Sequence, residues 1–402
     1  MKKDHCKPIL CEKENCTGCT ACAGGCPIKA IEMKPDGRGF LHPVVNDEKC
    51  IGCHNCEGLC PVLHPVIPHN NRQDYYGFKH HDMNIRLKSS SGGFFTWLSD
   101  IVLDQGGVIY GAVFDDKFRV IHERAETSQE RDSMRGSKYV QSDMGDTYGR
   151  LRKDLEDGRW VLFTGTSCQC AGILSAVAKK AYKGRLLTMD FICEGVASPQ
   201  VFESFKEYEE MKQKGRITRI SFRDKEEYPY KKKPILSRRL IIENTDNNGN
   251  SDLVYDKWGT SRYLDSLFSG LLQRECCLQC KYHSYDRITD FTCGDFHRYH
   301  GPEDFKDEYG ISEVLVNTDD ARQLIKKYII EDDFLKCSKE DVWQPLLERG
   351  IHVDTKREMF WEKYEREGFA KATDIIMPMV YKREIRKLVL GKIFQIKKNI
   401  FG

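Results

Sequence analysis

Two cysteine runs dominate the chemistry open to this chain. Cys16, Cys19, Cys22 and Cys26 precede Pro27, and Cys50, Cys53, Cys56 and Cys60 precede Pro61. Each reads C-x2-C-x2-C-x3-C-P, the spacing that holds paired [4Fe–4S] clusters. Three thiolates two residues apart wrap one face of a cubane. The fourth lies too far along to close the same cube, so it serves the other cluster. One cluster is therefore expected on Cys16, Cys19, Cys22 and Cys60, and the second on Cys26, Cys50, Cys53 and Cys56. A zinc site would use two well-separated pairs instead. Gly18, Gly24, Gly25 and Gly52 leave room for backbone N–H groups to approach sulfur. The chemistry is one-electron transfer.

A second constellation lies downstream. Cys168 and Cys193 follow short apolar runs that read as strands, and Cys277-x2-Cys280 has the spacing of half a metal site. The carboxyl ends of strands in an α/β sheet line the ligand crevice. Two strand-end cysteines and one such pair supply four thiolates, enough for a third [4Fe–4S] cluster. Taken singly, each is as well explained as a small buried hydrophobe. Glu194 and Asp295 stand beside these segments, where a substrate is expected to lie.

These residues need a scaffold. Residues 1–65 have the pattern of a bacterial two-cluster ferredoxin, and residues 66–83 read as a polar, proline-bearing linker or wrapping segment. From residue 84 to 352 the pattern is mixed α/β. Helices are predicted over Phe94–Leu103, Thr147–Leu155, Ala171–Ala181 and Pro199–Lys214, the last opened by Ser198 and Pro199. Strands are predicted over Val108–Phe114, interrupted at Gly111, and over Val161–Thr164 and Leu186–Cys193. Asp246–Asp252 reads as a polar loop or hairpin tip. The fold class expected is α+β/α/β: a ferredoxin fold, then a mixed α/β domain with parallel strands. Residues 353–402 read as a C-terminal basic amphipathic helical tail, its apolar and basic residues mixed most clearly over Ile375–Phe401. It reads as a helix packed on its own domain or lying on an anionic membrane surface.

In the order of its motifs the chain resembles the beta subunit family of coenzyme F420 hydrogenase and dehydrogenase, with a ferredoxin in front. The matching stretches are Ser90-Ser91-Gly92-Gly93, Arg135–Ser142, Gly165–Gln169, Cys193–Pro199, Cys277–Lys281 and Gly294-Asp295-Phe296. The resemblance implies FAD, an iron–sulfur cluster, and hydride exchange between flavin and a partner such as deazaflavin F420. The family usually has proline where Ser167 stands and histidine where Glu194 stands.

The residues themselves support a flavin in part. No G-x-G-x-x-G follows a predicted strand, so a Rossmann site is not indicated. Ser90, Ser91, Gly92 and Gly93 precede a helix, where hydroxyls and N–H groups suit an anion, and Lys138 and Tyr139 could add a charge and a stacking face. Clusters carry single electrons and organic substrates usually take two; a flavin converts between them. His80, His81, His297 and His300 have no recognisable ligand spacing and read as ordinary polar residues.

The whole chain sets outer bounds. It has 402 residues, 40% apolar and 31% charged, with a formal net charge of +2, so no global charge calls for nucleic acid. Eighteen cysteines without an export signal point to metal or redox chemistry in a reducing cytoplasm rather than to disulfides. The reading is a cytoplasmic flavin-dependent iron–sulfur oxidoreductase working with a redox partner protein or ferredoxin and a small hydride substrate. The alternative is a subunit that only relays electrons to a partner enzyme.

Overall fold

The computed structural model describes residues 7–69, 72–177, 182, 184–225, 239–246, 248–257, 261–297 and 299–377. The two cysteine runs take the same local shape. Gly18 and Thr20 in the first, and Gly52 and His54 in the second, have φ between 58° and 67°. Each pair of left-handed residues turns the chain into a one-turn helix, Ala21–Gly24 and Asn55–Gly58. Between the runs, β1 (Ile31–Pro35) pairs antiparallel with β2 (Leu41–Val45).

The next strand, β3 (Asp74–Phe78), lies inside the segment expected to be a linker. It is an interior strand, bonded on one side to residues 312–316 and on the other to 334–337. Its short Tyr75-Tyr76-Gly77-Phe78 core sits among polar residues, and both partners lie more than 230 residues downstream. Local pattern therefore gave no sign of it. β4 (Val108–Phe114) runs unbroken through Gly111, which pairs with Glu123 of β5 (Val120–Ala125). A Cβ at Gly111 would meet Met134 Sδ at 2.9 Å and Thr164 Oγ1 at 3.0 Å, so the glycine serves packing and does not interrupt the strand.

β6 (Val161–Gly165) and β7 (Leu186–Phe191) follow, parallel to each other and to β4. β8 (Arg216–Phe222), β9 (Arg239–Thr245) and β10 (Ser251–Lys257) form a separate antiparallel sheet, with the expected polar tip between β9 and β10. β11 (Phe291–Asp295) returns to the main sheet beside β7, followed by β12 (Ser312–Val316) and β13 (Phe334–Cys337). The main sheet has eight strands in the order β13-β3-β12-β11-β7-β6-β4-β5. Its middle, β4, β6, β7 and β11, is parallel as expected; its flanks are antiparallel.

Each face of that sheet carries helices. Helix Phe94–Asp104 places Phe94, Trp97, Leu98, Ile101 and Val102 on one stripe, and all five are buried against one face. Each such side chain contributes roughly 1.5–3 kcal/mol on burial. The other face receives helices Thr147–Glu156 and Ser167–Ala176, and Cys19 and Ala21 of the N-terminal module share that core. The module is thus packed into the same hydrophobic layer as the sheet.

Helix Ser167–Ala176 starts four residues earlier than expected because Gln169 Oε1 accepts from the backbone N–H of Thr166 at 3.0 Å, closing the first turn. Residues 178–181, the expected end of that helix, lie outside the described residues. Helix Pro199–Gln213 begins as predicted: the Ser198 hydroxyl accepts from the N–H of Val201 at 3.2 Å.

No break in packing occurs at residue 353. Helix Arg357–Thr373 buries Phe360 and Trp361 in the core that also holds Phe202, Phe205 and β8 and β9. The basic stretch lies outside the described residues from 378 onward. Among the described residues no helix is long and apolar enough to cross a membrane.

Candidate functional site

Three cavities hold the chemistry. The first is ringed by Cys16, Cys19, Cys22 and Cys60, the four cysteines assigned to one cluster by spacing. Cys11 also lines it, which the spacing did not reveal. Cys26 comes from the end of the first run, and Asn55 Nδ2 donates to the carbonyl of Gly25 at 2.8 Å, tying that end to the second run's helix. The Sγ of Cys26 accepts from the N–H of Ala30 at 3.3 Å. Cys26 and Cys56 lie close enough to repel each other as thiolates. Cys53 is exposed and Cys50 half-buried, so the second set lies nearer solvent than the first, where Cys16, Cys19 and Cys60 are buried.

The second cavity brings together Cys168, Cys193, Cys277 and Cys280, residues from three separate segments. Cys168 stands in the first turn of helix Ser167–Ala176, just past β6, and Cys193 just past β7. Cys277 lies in a short 3-10 helix, Glu275–Gln279, which ends beside Cys280. Gly195 has φ 82°, and a Cβ there would meet Gln273 Cγ at 2.5 Å and Cys277 Cβ at 3.3 Å. Only glycine lets the Cys193 loop close on the Cys277 segment.

Burial pushes the thiols of Cys168 and Cys193 above their ordinary range, and the neighbouring sulfurs add to it. Burial also lifts Cys280, to about 11. Four half-buried sulfurs gathered at one cavity ionise together only beside a cation. An all-sulfur donor set suits iron–sulfur clusters or zinc. Cys276 lines the cavity too. Arg287 lies at its wall, its guanidinium bonded to Asp190 and to the Ser167 hydroxyl (2.8 Å).

The third cavity is the largest, about 280 Å³. Ser90, Ser91, Gly93, Lys138, Tyr139, Glu194 and Asp295 all line it, although they come from separate segments. Gly92 does not. It lies behind the loop, donating to Ser312 Oγ at 2.9 Å and accepting from the N–H of His80 at 2.8 Å. The Ser90 hydroxyl is shared with Ser137 (Oγ to Oγ 2.9 Å), and the Ser91 hydroxyl donates to the carbonyl of Ile311 at 2.8 Å. Gly93, at φ 97°, turns the chain into helix Phe94–Asp104.

Lys138 donates to the carbonyls of Ser133 and Arg135, both at 3.0 Å, and its lost hydration lowers its pKa to about 7. The Tyr139 ring is met edge-on by Phe222 and Phe268. Phe191, 42% exposed, offers an aromatic surface in the same cavity.

Asp295 is ion-paired with Arg223 at 2.7 Å. Burial pushes its carboxyl up, but the guanidinium outweighs that and holds it below the usual range. It is a carboxylate rather than an acid. Lys225 stands close by, donating to the carbonyls of Ser91 (2.8 Å) and Arg86 (3.0 Å). Burial lowers its pKa to about 7. Glu194 is half-buried, its carbonyl accepting from Gln273 Nε2 at 3.3 Å.

The cavities stand in series. Thr17 lines both the first and the second, and Cys19 packs on helix Ser167–Ala176 at Gly172, where a Cβ would meet its Sγ at 3.2 Å. Thr166, Ile192, Cys193, Gly195 and Val196 line both the second and the third.

Several residues here carry no sequence signal of their own. Arg223 and Lys225 end an unremarkable strand, and Arg287 and Asp190 find each other across 97 residues. His297 lines the large cavity although it reads as an ordinary polar residue. His80 and His81 meet Asp333, with possible ligand atoms within 4.8 Å of one another. His80 Nδ1 is already used, accepting from the N–H of Asp82 at 3.1 Å.

Comparison with known proteins bears on both halves. Residues 158–341 match the family described as the C terminus of the coenzyme F420 hydrogenase/dehydrogenase beta subunit, and residues 15–63 match a 4Fe-4S dicluster domain. No curated protein matches the chain. Among solved structures, one chain of the F420-reducing [NiFe] hydrogenase complex from Methanosarcina barkeri is similar at 16% identity with a TM-score of 0.43. The match covers 78% of this chain and 93% of that one. By its two family matches, the chain is similar over residues 158–341 to the C terminus of the coenzyme F420 hydrogenase/dehydrogenase beta subunit, and ahead of that stretch to a 4Fe-4S dicluster domain.

Proposed function

We propose that this chain is a flavin-dependent iron–sulfur oxidoreductase of the cytoplasm. It would pass electrons between a redox partner protein or ferredoxin and a small molecule that gives or takes hydride, deazaflavin F420 or another organic compound. The observation that carries this is the wall shared by the second and third cavities: Cys193 belongs to a four-cysteine set and to the lining of a large polar cavity at once. A relay alone would not need that cavity. The matched family is one of beta subunits, which supports a partner protein.

Bound clusters supply one-electron transfer, and a bound FAD supplies the exchange between one and two electrons. On this reading residues 1–65 are the ferredoxin domain and residues 84–352 the flavin and iron–sulfur domain. Cys168, Cys193, Cys277 and Cys280 would hold a third cluster. Ser90, Ser91, Gly93, Lys138 and Tyr139 would hold the flavin, with Gly92 setting the loop. Arg135 and Lys138 line the cavity beside the serine loop and would meet the charge of a diphosphate, while Arg223 is committed to Asp295. Glu194 is positioned to hold or give a proton, and Asp295, kept ionised by Arg223, to orient the bound molecules.

The test is stoichiometry after anaerobic purification. Three cubanes require about twelve iron atoms per chain, and the reading also requires an equimolar flavin. About eight iron atoms would remove the third cluster, zinc on the second cysteine set would make that site structural, and clusters without flavin would leave an electron relay.

A further inference from the structure

One buried cation lies between the first two cavities. Arg274 is 2% exposed, and an arginine stays charged under all ordinary conditions. Its Nε donates to the carbonyl of Cys16 at 2.6 Å, its Nη1 to Gln141 Oε1 at 3.1 Å, and its Nη2 to the carbonyl of Leu41 at 3.0 Å. The His42 ring lies 3.1 Å from Nη2. Gln141 in turn donates to the carbonyl of Thr17 at 2.9 Å. The guanidinium is so tightly wedged that a Cβ on Gly18 would meet Nη1 at 2.7 Å.

The backbone of the same residue serves the other site. Its N–H donates to the carbonyl of Val196 in the Cys193 loop, and its carbonyl accepts from the N–H of Cys277, both at 3.0 Å. Arg274 therefore touches the ligand loops of both cysteine sets.

Its hydrogen-bond acceptors are all neutral. The adjacent carboxylate, Glu275, is bonded to Arg357 at 3.1 Å and faces Arg38 at 3.5 Å. Among the described residues Arg274 forms no ion pair with a carboxylate within 4.0 Å. A buried charge without a counter-charge is strongly destabilising. The carboxylate one contact away, Asp36, is 3.4 Å from His42 and reaches the guanidinium only through that ring; negative charge on the two cysteine-held groups would offset it directly.

We propose that Arg274 is a shared electrostatic bridge, raising together the reduction potentials of the cluster on Cys16, Cys19, Cys22 and Cys60 and of the cluster on Cys168, Cys193, Cys277 and Cys280. It acts as a positioning residue for electrons, favouring the reduced state on both sides of the step between them. Among the described residues no hydrogen bond joins it to the distal set, Cys26, Cys50, Cys53 and Cys56. The proposal rests on the third-cluster reading above.

The experiment is an anaerobic redox titration of the full chain followed by electron paramagnetic resonance, with iron counted on the same samples. Arg274→Gln should move two cluster potentials to more negative values and leave the third in place. Arg274→Lys, which keeps the charge, should move them less. Gln141→Glu places a carboxylate against the guanidinium, cancels its charge without removing it, and should lower the same two potentials; it carries the test should Arg274→Gln not fold. About twelve iron atoms with unmoved potentials, or a shift as large for lysine as for glutamine, would overturn the bridge alone. About eight iron atoms in the unaltered protein would overturn the third-cluster reading and the bridge with it.

Discussion

Replacing Asp295 by asparagine tests how the large cavity manages its charge. The Asp295–Arg223 pair sits at 2.7 Å with the two side chains 14% and 10% exposed, so solvent screens it little. At that distance and an effective permittivity near 20, the attraction is about 6 kcal/mol. Desolvation of both charges offsets much of it, and removing one partner of such a pair typically costs about 3–5 kcal/mol, because the other is left buried and uncompensated. The asparagine side chain would keep the shape and one acceptor, so Asp295→Asn should fall near the lower end, about 3 kcal/mol. Lys225, next to the pair and already lowered by burial, would lose the support of Asp295 and shed its proton more readily, so it adds little to the uncompensated charge. Arg223→Met with Asp295→Leu should recover most of the loss, since neither charge then needs a partner. The assay is urea unfolding followed by circular dichroism under anaerobic conditions, on protein of matched iron content. A loss of no more than about 1 kcal/mol, as for an exposed pair, would refute the reasoning. The sign with pH follows from the depressed carboxyl. The pair's contribution is fully present above the unfolded value, about 3.9, and is lost as pH falls through the lower folded value.

Two further outcomes are expected. Gly92→Ala should weaken the fold and, on the proposed flavin reading, flavin binding with it, because the new Cβ would overlap the carbonyl oxygen of Phe78 and lie 2.6 Å from the backbone nitrogen of Ser312. Both are backbone atoms that cannot step aside, so the cost should exceed the roughly 1–3 kcal/mol of ordinary overpacking. Thermal unfolding and the flavin spectrum report it, with Gly37→Ala, which meets nothing within 4 Å, as the control. Flavin affinity should be flat below pH 7 and weaken above it, because the Lys138 ammonium, held at about 7 by burial, must be charged to attract a diphosphate. Equilibrium dialysis of FAD at several pH values should show the slope in the unaltered protein and not in Lys138→Met.

How much of this was legible in the sequence depended on whether a signal was local. The dicluster domain was legible because four cysteines and a proline at fixed spacing occur twice near the N-terminus, and so was the gathering of Cys16, Cys19, Cys22 and Cys60 at the first cavity. Cys168 and Cys193 were legible through the strands before them. The parallel order of β4, β6 and β7 brings those strand ends to one edge, where the 277–280 pair meets them. β3 was not legible, since its strand character comes from partners at 312–316 and 334–337 rather than from its own residues. The burial of helix Arg357–Thr373 was hidden by its charge: Arg357, Lys363, Arg366 and Lys371 suggest a solvated face, yet Arg357 is buried and donates to the carbonyls of Leu271 and Gln273. Arg223 was missed because a lone arginine after a strand looks like surface until Asp295 is brought against it.

The two carboxyls that line the large cavity, Asp295 and Glu194, sit in different environments. Asp295 is clamped by a guanidinium and stays ionised through neutral pH, so it is a poor proton donor however close a substrate lies. Any proton that this chain supplies at the Cys193 end must come from a different group, and Glu194 is the carboxyl that lines the cavity there. Its position is also the least adjustable in the site. Cys193 precedes it and faces the four-cysteine cavity; Gly195 follows it and is pressed on Gln273 and Cys277. The carboxyl is therefore held by the same short loop that holds one of the sulfurs. A substitution at Gly195 would displace the Glu194 carboxyl and the Cys193 sulfur together, so on the proposed reading the proton chemistry of the large cavity and the integrity of the cysteine site would fail at once.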